Sequence, residues 1–176
     1  LMPLLTELAE KVDVWIEVGL QSVHDRTLQL VWRGHTYADF EQAVQRLSQL
    51  PVRVCVHLML GLPGEDHAMM METADRLAQL PVDELKLHPM LVLKDTAAER
   101  LYREGAFRSL ELDEYVETLI DFLERTPADR VLQRVTAEAP AELLIAPLWP
   151  LHKARVYSAL RQAMERRDAC QGRLRV

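Results

Sequence analysis

The chain has 176 residues, 49% hydrophobic and 27% charged, with a net charge of −6. This fits one globular domain with a real core, with room for a small appendage, and argues against a generic polyanion binder while leaving a local basic patch open. No apolar run approaches membrane-spanning length, the amino terminus lacks a basic-then-apolar signal, and two cysteines, Cys55 and Cys170, are too few for a disulfide framework, so a cytoplasmic protein is expected.

Leu4, Leu5, Leu8 and Ala9 form a short helical stripe that ends by Val12-Asp13. Val14, Ile16 and Val18 then alternate with Trp15, Glu17 and Gly19, which reads as a strand with Glu17, Gly19 and Gln21 pointing the same way. A helix from about His24 puts Leu28, Val31 and Trp32 on one face and is capped by Gly34. Thr36 with Asp39 three residues on resembles a capping box for a helix through Phe40, Val44, Leu47 and Leu50.

The stretch from Val52 to Glu65 organises the rest. Val52, Val54, Val56, Leu58 and Leu60 share one strand face, and Arg53, Cys55, His57 and Met59 share the other. Gly61, Pro63 and Gly64 stop the strand, and a helix is expected over Asp66 to Leu80 with acidic residues in its first turn. Met69, Met70 and Met71 on that helix read as core filler rather than a cofactor box.

Asp83 to Pro89 repeats the strand pattern, with Leu85 and Leu87 on one face and Glu84, Lys86 and His88 on the other. Helices follow at Thr96 to Arg103 and Leu112 to Arg125. Beyond a break at Thr126 to Asp129 come a strand near Val131 to Glu138, an apolar segment Leu143 to Ala146, a last helix with Val156, Tyr157, Leu160 and Met164, and a tail expected to fray after Asp168. The division expected is residues 1–126 as a main unit and 127–176 as a small α+β carboxyl-terminal region.

Strand alternating with helix implies an α/β fold with parallel strands and right-handed crossovers. A doubly wound sheet would make its strands apolar on both faces. Here one face carries Glu17, Gln21, Arg53, His57, Glu84, Lys86 and His88, so a barrel or part-barrel with a polar lumen fits better, with ligands at the carboxyl ends of the strands. Each of these residues has a bland reading too. In that reading Gln21 satisfies a strand end, Arg33 complements a helix terminus and the Gly-rich loop is a tight turn, while Glu17 with Lys86 is either an acid–base pair or a lumen ion pair. His57, His88 and Cys55 match no standard zinc spacing, and no P-loop or nucleophile elbow is present.

Glu17-Val18-Gly19-Leu20-Gln21-Ser22, Arg33-Gly34-His35-Thr36 and His57 to Glu65 resemble the second half of a radical S-adenosylmethionine (radical SAM) core, in the branch of the Elongator catalytic subunit and oxygen-independent coproporphyrinogen III oxidase. Lys86 to Pro89 and Leu144 to Trp149 resemble its bacterial YhcC-like members. The resemblance implies a six-stranded partial (β/α) barrel, of which this chain supplies the last three strands. It further implies that Gln21 contacts the cofactor ribose, that Arg33 pairs with the methionine carboxylate, and that the backbone around Gly61 and Gly64 borders the adenine. His57 stands where coproporphyrinogen oxidases have a ribose-binding Asp. Glu17, Lys86 and His88 would face substrate, and no catalytic residue can be named.

The family's CxxxCxxC loop, which binds a 4Fe–4S cluster, has no counterpart here, so no protein ligand to metal is expected in this chain. Three readings follow. The chain is the carboxyl-terminal part of a radical SAM enzyme, inactive alone and lacking the other barrel half, as the start at Leu1 rather than Met also hints. It is a degenerate half-barrel kept as a binding or interaction module. Or it is an unrelated α/β enzyme using the Gly-rich loop for a phosphorylated ligand. A nucleic-acid substrate is conceivable by analogy, but the acidic charge lends it no support.

Overall fold

A computed structural model describes residues 2–175. The chain runs α1 (Met2–Ala9), β1 (Trp15–Gln21), α2 (Asp25–Leu30), α3 (Tyr37–Leu47), β2 (Arg53–Leu60), α4 (His67–Leu77), β3 (Glu84–Pro89), β4 (Val92–Leu93), α5 (Ala97–Arg103), α6 (Leu112–Arg125), β5 (Val131–Arg134), β6 (Leu144–Ala146) and α7 (Lys153–Arg167). Strands β1, β2, β3 and β5 form one parallel sheet in that order, and β4 pairs antiparallel with β6. The α/β expectation holds, with an open sheet that does not close into a barrel. A fourth parallel strand joins the three expected ones because the Val131 amide donates to Asp83 O (3.0 Å) and starts a ladder along β3.

One face of the sheet is apolar and covered. Val54, Val56, Leu58 and Leu60 from β2 and Leu85 and Leu87 from β3 are buried in one core with Phe40 and Val44 of α3, Met70, Met71 and Leu77 of α4, Leu119 and Ile120 of α6 and Val156 of α7. Met70 and Met71 are thus packing residues. Tyr115 ties the carboxyl-terminal segments to this core. Its hydroxyl donates to Val135 O (2.9 Å), its ring lies 4.8 Å from that of Trp149, and the Trp149 indole donates to Leu110 O (2.9 Å).

Helix starts follow local chemistry. Thr36 and Asp39 form a reciprocal capping box, Asp66 caps α4 through the Met69 amide (2.9 Å), and Thr96 caps α5 through the Glu99 amide. Three local expectations are corrected. α4 spans only His67–Leu77 and has no acidic residue in its first turn, because Asp66 is the cap and Glu65 turns inward. Trp32 does not join a buried stripe. It occupies the left-handed position after α2 (φ +55), where the Arg33 amide closes back on Leu28 O (2.9 Å), and its side chain stands in solvent. The strand after the break is shorter than expected, ending at Arg134.

The tail is pinned rather than frayed. The Gly172 amide donates to Leu123 O (3.0 Å), Gln171 Nε2 to Pro127 O and Arg130 O (2.7 and 2.9 Å), and Arg175 Nε to Arg125 O (2.6 Å). The Gly172 and Arg175 bonds reach the Leu123 and Arg125 carbonyls in the last turn of α6, where helical partners run out, and those of Gln171 hold the loop beyond it.

Candidate functional site

The uncovered face of the sheet collects the polar side chains. Parallel register places Glu17, Cys55 and Glu84 in one row and Gly19, His57 and Lys86 in the next, with His88 beside Met59 one step further. Rows in register put side chains on one face within reach across strands.

At the amino ends of the strands lies a closed cluster. Glu84, only 3% exposed, accepts from the Trp15 indole (2.7 Å) and from Gln133, with Arg53 3.8 Å away, and the Arg53 guanidinium covers the Trp15 ring at 4.6 Å. Such a buried carboxylate is held by charge-assisted bonds and is spoken for. Neither Trp15 nor Gln133 stands out as a site residue in the sequence, because their meeting depends on pairing across three strands.

At mid-strand Glu17 bridges Lys86 and His57. One oxygen accepts from Lys86 Nζ and the other from His57 Nε2 (2.7 Å). The Lys86 bond first, and then that of His57, hold the Glu17 carboxyl below the usual carboxylate range. The pair is an ion pair here. The His57 ring stacks on that of His88 with centroids 5.5 Å apart. Burial, with His57, Arg134 and Lys86 nearby, lowers the His88 pKa to about 4, and its Nε2 is shielded from solvent without a hydrogen-bond partner.

At the carboxyl end of β1 the strand register slips between Gly19 and Gln21, and Gln21 takes a left-handed backbone (φ +73). Simple alternation therefore fails at Gln21. The Gly19 carbonyl accepts from Arg33 Nε (3.0 Å) and Nη2 (2.7 Å) and is paired with His35 Nε2 (3.1 Å). Gly19 makes room for this arrangement, since a Cβ would lie 2.5 Å from Arg33 Nη2 and 2.7 Å from Gln21 Nε2 and would push both side-chain ends away. The next loop is fixed from below. Ser22 Oγ donates to Glu65, whose carboxyl is pushed up by burial, and Gly61 and Gly64 both take φ +82. A cavity of about 540 Å³ borders this loop and α6, lined by Gly61, Gly64, His67, Phe107 and Leu110.

The structure thus gathers Glu17, His57, Lys86 and His88 into one cluster and Gln21, Arg33 and His35 around Gly19, with Gly61 and Gly64 in the loop that Ser22 holds. His35 is the residue that sequence reading quoted without a role. Its place in Arg33-Gly34-His35, directly after a helix end, is the signal that points back to the same carbonyl.

A parallel sheet with helices on one face, a polar opposite face and glycine turns at the strand ends defines an α/β part-barrel whose ligands approach those ends. The model of the radical SAM superfamily matches residues 3–77 and that of the Radical_SAM C-terminal domain matches residues 82–166, and the chain belongs to the radical SAM superfamily. It is 39% identical over 169 residues to YtqA of Bacillus subtilis, covering 96% of this chain and 52% of that protein. It is 36% identical over 137 residues to YhcC of Escherichia coli, covering 78% and 44%. An amino-terminally deleted Elp3 of Methanocaldococcus infernus superposes with a TM-score of 0.83 at 22% identity, over 94% of this chain and 39% of that one, a likeness of fold. The chain spans about half the length of the curated relatives it matches.

The two groups implied by the family fare differently against these residues. A 4Fe–4S cluster does not fit. It needs thiolates, while Cys55 is sealed between strands with its thiol pushed up to about 11 by burial and Cys170 lies in the tail. S-adenosylmethionine fits better. Among the described residues Arg33 Nη1 has no partner, and the Gly19 surface beneath it is bare of side chain. Among the described residues no helix is long and apolar enough to cross a membrane.

Proposed function

We propose that this chain forms the S-adenosylmethionine-binding and substrate-facing side of a cytoplasmic radical SAM enzyme, and that alone it does not cleave the cofactor. The carrying observation is the Arg33 clamp. Two guanidinium nitrogens are fixed on the Gly19 carbonyl, so the third nitrogen is pre-oriented for a carboxylate without further loss of side-chain freedom. Gln21, held beside it by the left-handed turn, and the Gly61 to Gly64 backbone would hold the ribose and adenine. When bound in a complete enzyme of this family, the cofactor supplies hydrogen-atom abstraction from substrate. The residues in hand bind, orient and shield, with His57 tied to Glu17 rather than free, which supports a positioning part for it at the ribose. Residues 1–126 would be the barrel part and 127–176 its associated carboxyl-terminal region, docked through Tyr115 and Trp149.

The test is titration of S-adenosylmethionine into the isotopically labelled chain. Amide shifts at Gln21, Arg33, Gly61 and Gly64, lost in Arg33→Ala and only partly kept in Arg33→Lys, are expected. Saturating cofactor that moves none of them sinks the reading. The half-barrel binding module is favoured by one observation, that β1 pairs on one side only and leaves a strand edge. A tight protein partner whose footprint is that edge, in a chain indifferent to S-adenosylmethionine, would make it the better account.

A further inference from the structure

The Leu144 to Trp149 motif lies outside the Arg33 clamp and the polar cluster, yet Trp149 reaches the glycine loop through one intermediary, Leu110. Gly61 is gripped on three sides. Its amide donates to Met70 Sδ (3.3 Å), the preceding Leu60 carbonyl accepts from the Met90 amide (2.9 Å), and the Leu110 side chain lies where a Cβ would be, 2.9 Å from Leu110 Cγ. The position suits glycine on two counts, its φ of +82 and its lack of space, and Leu110 is the neighbour that takes the space.

Leu110 belongs to the segment between α5 and α6, and two contacts fix that segment. Arg108 closes on both carboxylate oxygens of Glu114 (2.6 Å each), an exposed pair open to screening by salt. The Trp149 indole donates to the Leu110 carbonyl (2.9 Å) from a side chain only 7% exposed. A buried indole N–H left without an acceptor costs free energy, so this bond dictates where the Leu110 backbone sits. Packing of the ring against Tyr115, at 4.8 Å, needs only an aromatic side chain, whereas the N–H is specific to tryptophan. The Arg33 clamp is anchored on Gly19 and shares no hydrogen bond with Leu110 or Trp149.

We propose that Trp149 is a positioning residue for the cofactor: its indole N–H sets Leu110, and Leu110 sets the Gly61 to Gly64 backbone that receives the adenine. The inference rests on the S-adenosylmethionine reading above and adds to it that the carboxyl-terminal segment tunes the adenine end and not the carboxylate end.

The two halves of the cofactor permit the test. Methylthioadenosine carries the adenine, methionine carries the carboxylate, and each is titrated beside S-adenosylmethionine into the labelled parent chain and into Trp149→Phe, which keeps a ring against Tyr115. The substitution should weaken both adenine-bearing ligands about fivefold, the worth of one hydrogen bond, and leave methionine unchanged. A general loss of stability would not produce that split. Leu110→Ala should weaken the adenine-bearing ligands at least as much, and adding Trp149→Phe to it should cost nothing further, because the indole acts through Leu110. Equal affinity of Trp149→Phe and the parent for methylthioadenosine overturns the proposal and keeps the cofactor reading. A matching loss for methionine, or losses that add in the double variant, overturns it as well. A parent chain that responds to neither adenine-bearing ligand ends the cofactor reading and this inference with it.

Discussion

The two faces of the sheet share strands and register and differ in what water finds on them. On the covered face Leu58 and Leu87 are neighbours with no exposed surface, packed into a core that reaches four helices. On the open face His57 and Lys86 stand one row away, bonded to Glu17 further down β1, and all three keep contact with solvent. Burial of apolar area is the main source of stability, whereas partly exposed ion pairs add little. The covered face should therefore hold the fold, leaving the open face free to be chemically specialised.

The largest effect is expected from deleting core volume. Leu58→Ala should cost about 3 kcal/mol, the loss of transfer energy plus a cavity that rigid neighbouring strands cannot fill. Glu17→Gln, on the other face of the same sheet, should cost no more than about 1 kcal/mol because the carboxylate it replaces is nearly half exposed. Urea midpoints of the two variants make the comparison directly. Equal losses would mean that the polar cluster is a structural keystone.

A middle-sized effect separates the faces by pH, since the covered face does not titrate. His88 has its pKa lowered from 6.5 to about 4, so between those values the unfolded chain binds more protons than the folded one. Stability therefore rises with pH across that window. The His88 contribution is complete above about 6.5 and is lost as pH falls towards 4. The Glu17 carboxyl, also depressed, contributes above its ordinary value of 4.5 and loses its part at still lower pH. Because His88 is only partly buried, its share should be on the order of 2 kcal/mol. Stability curves of the parent chain and His88→Phe should differ in slope between pH 4 and 6.5 and run parallel above it. A common slope throughout would mean that His88 is charged in the folded protein.

What could be read from the sequence follows the range of the interactions. Period-two alternation in Val54 to Leu60 and Leu85 to Leu87 is local, and it gave the strands and their inner face. The Thr36–Asp39 capping box spans three residues and is present as expected, and α6 runs from Leu112 to Arg125 as its stripe implies. Glu84 has the same alternation as Lys86, yet one is buried and the other reaches the open cluster, because Trp15 and Gln133 come from two other strands to enclose Glu84. Arg33 reads as a cation for a ligand, but two of its nitrogens serve Gly19 fourteen residues earlier. The tail looks frayed for the same reason. Its partners, the last carbonyls of α6, lie some fifty residues back.

The smallest predicted effect asks whether the open face is one unit or two. Trp15→Phe keeps an aromatic ring beneath Arg53 but removes the indole N–H that Glu84 accepts at 2.7 Å. Gln133 still donates to that carboxylate, so the loss should be about 1 kcal/mol, that of one hydrogen bond to a charged group with other partners left in place. Glu84 and Trp15 sit at the amino ends of the strands, while Arg33, Gln21 and His88 act towards the carboxyl ends. If the rows are independent, Trp15→Phe lowers the unfolding midpoint slightly and leaves the response of Arg33 to S-adenosylmethionine unchanged. Sites this far apart without shared partners should behave additively. Should the substitution silence that response, the Glu84 cluster transmits its geometry through Cys55 and Glu17 to the ligand end, and the polar face acts as a single network.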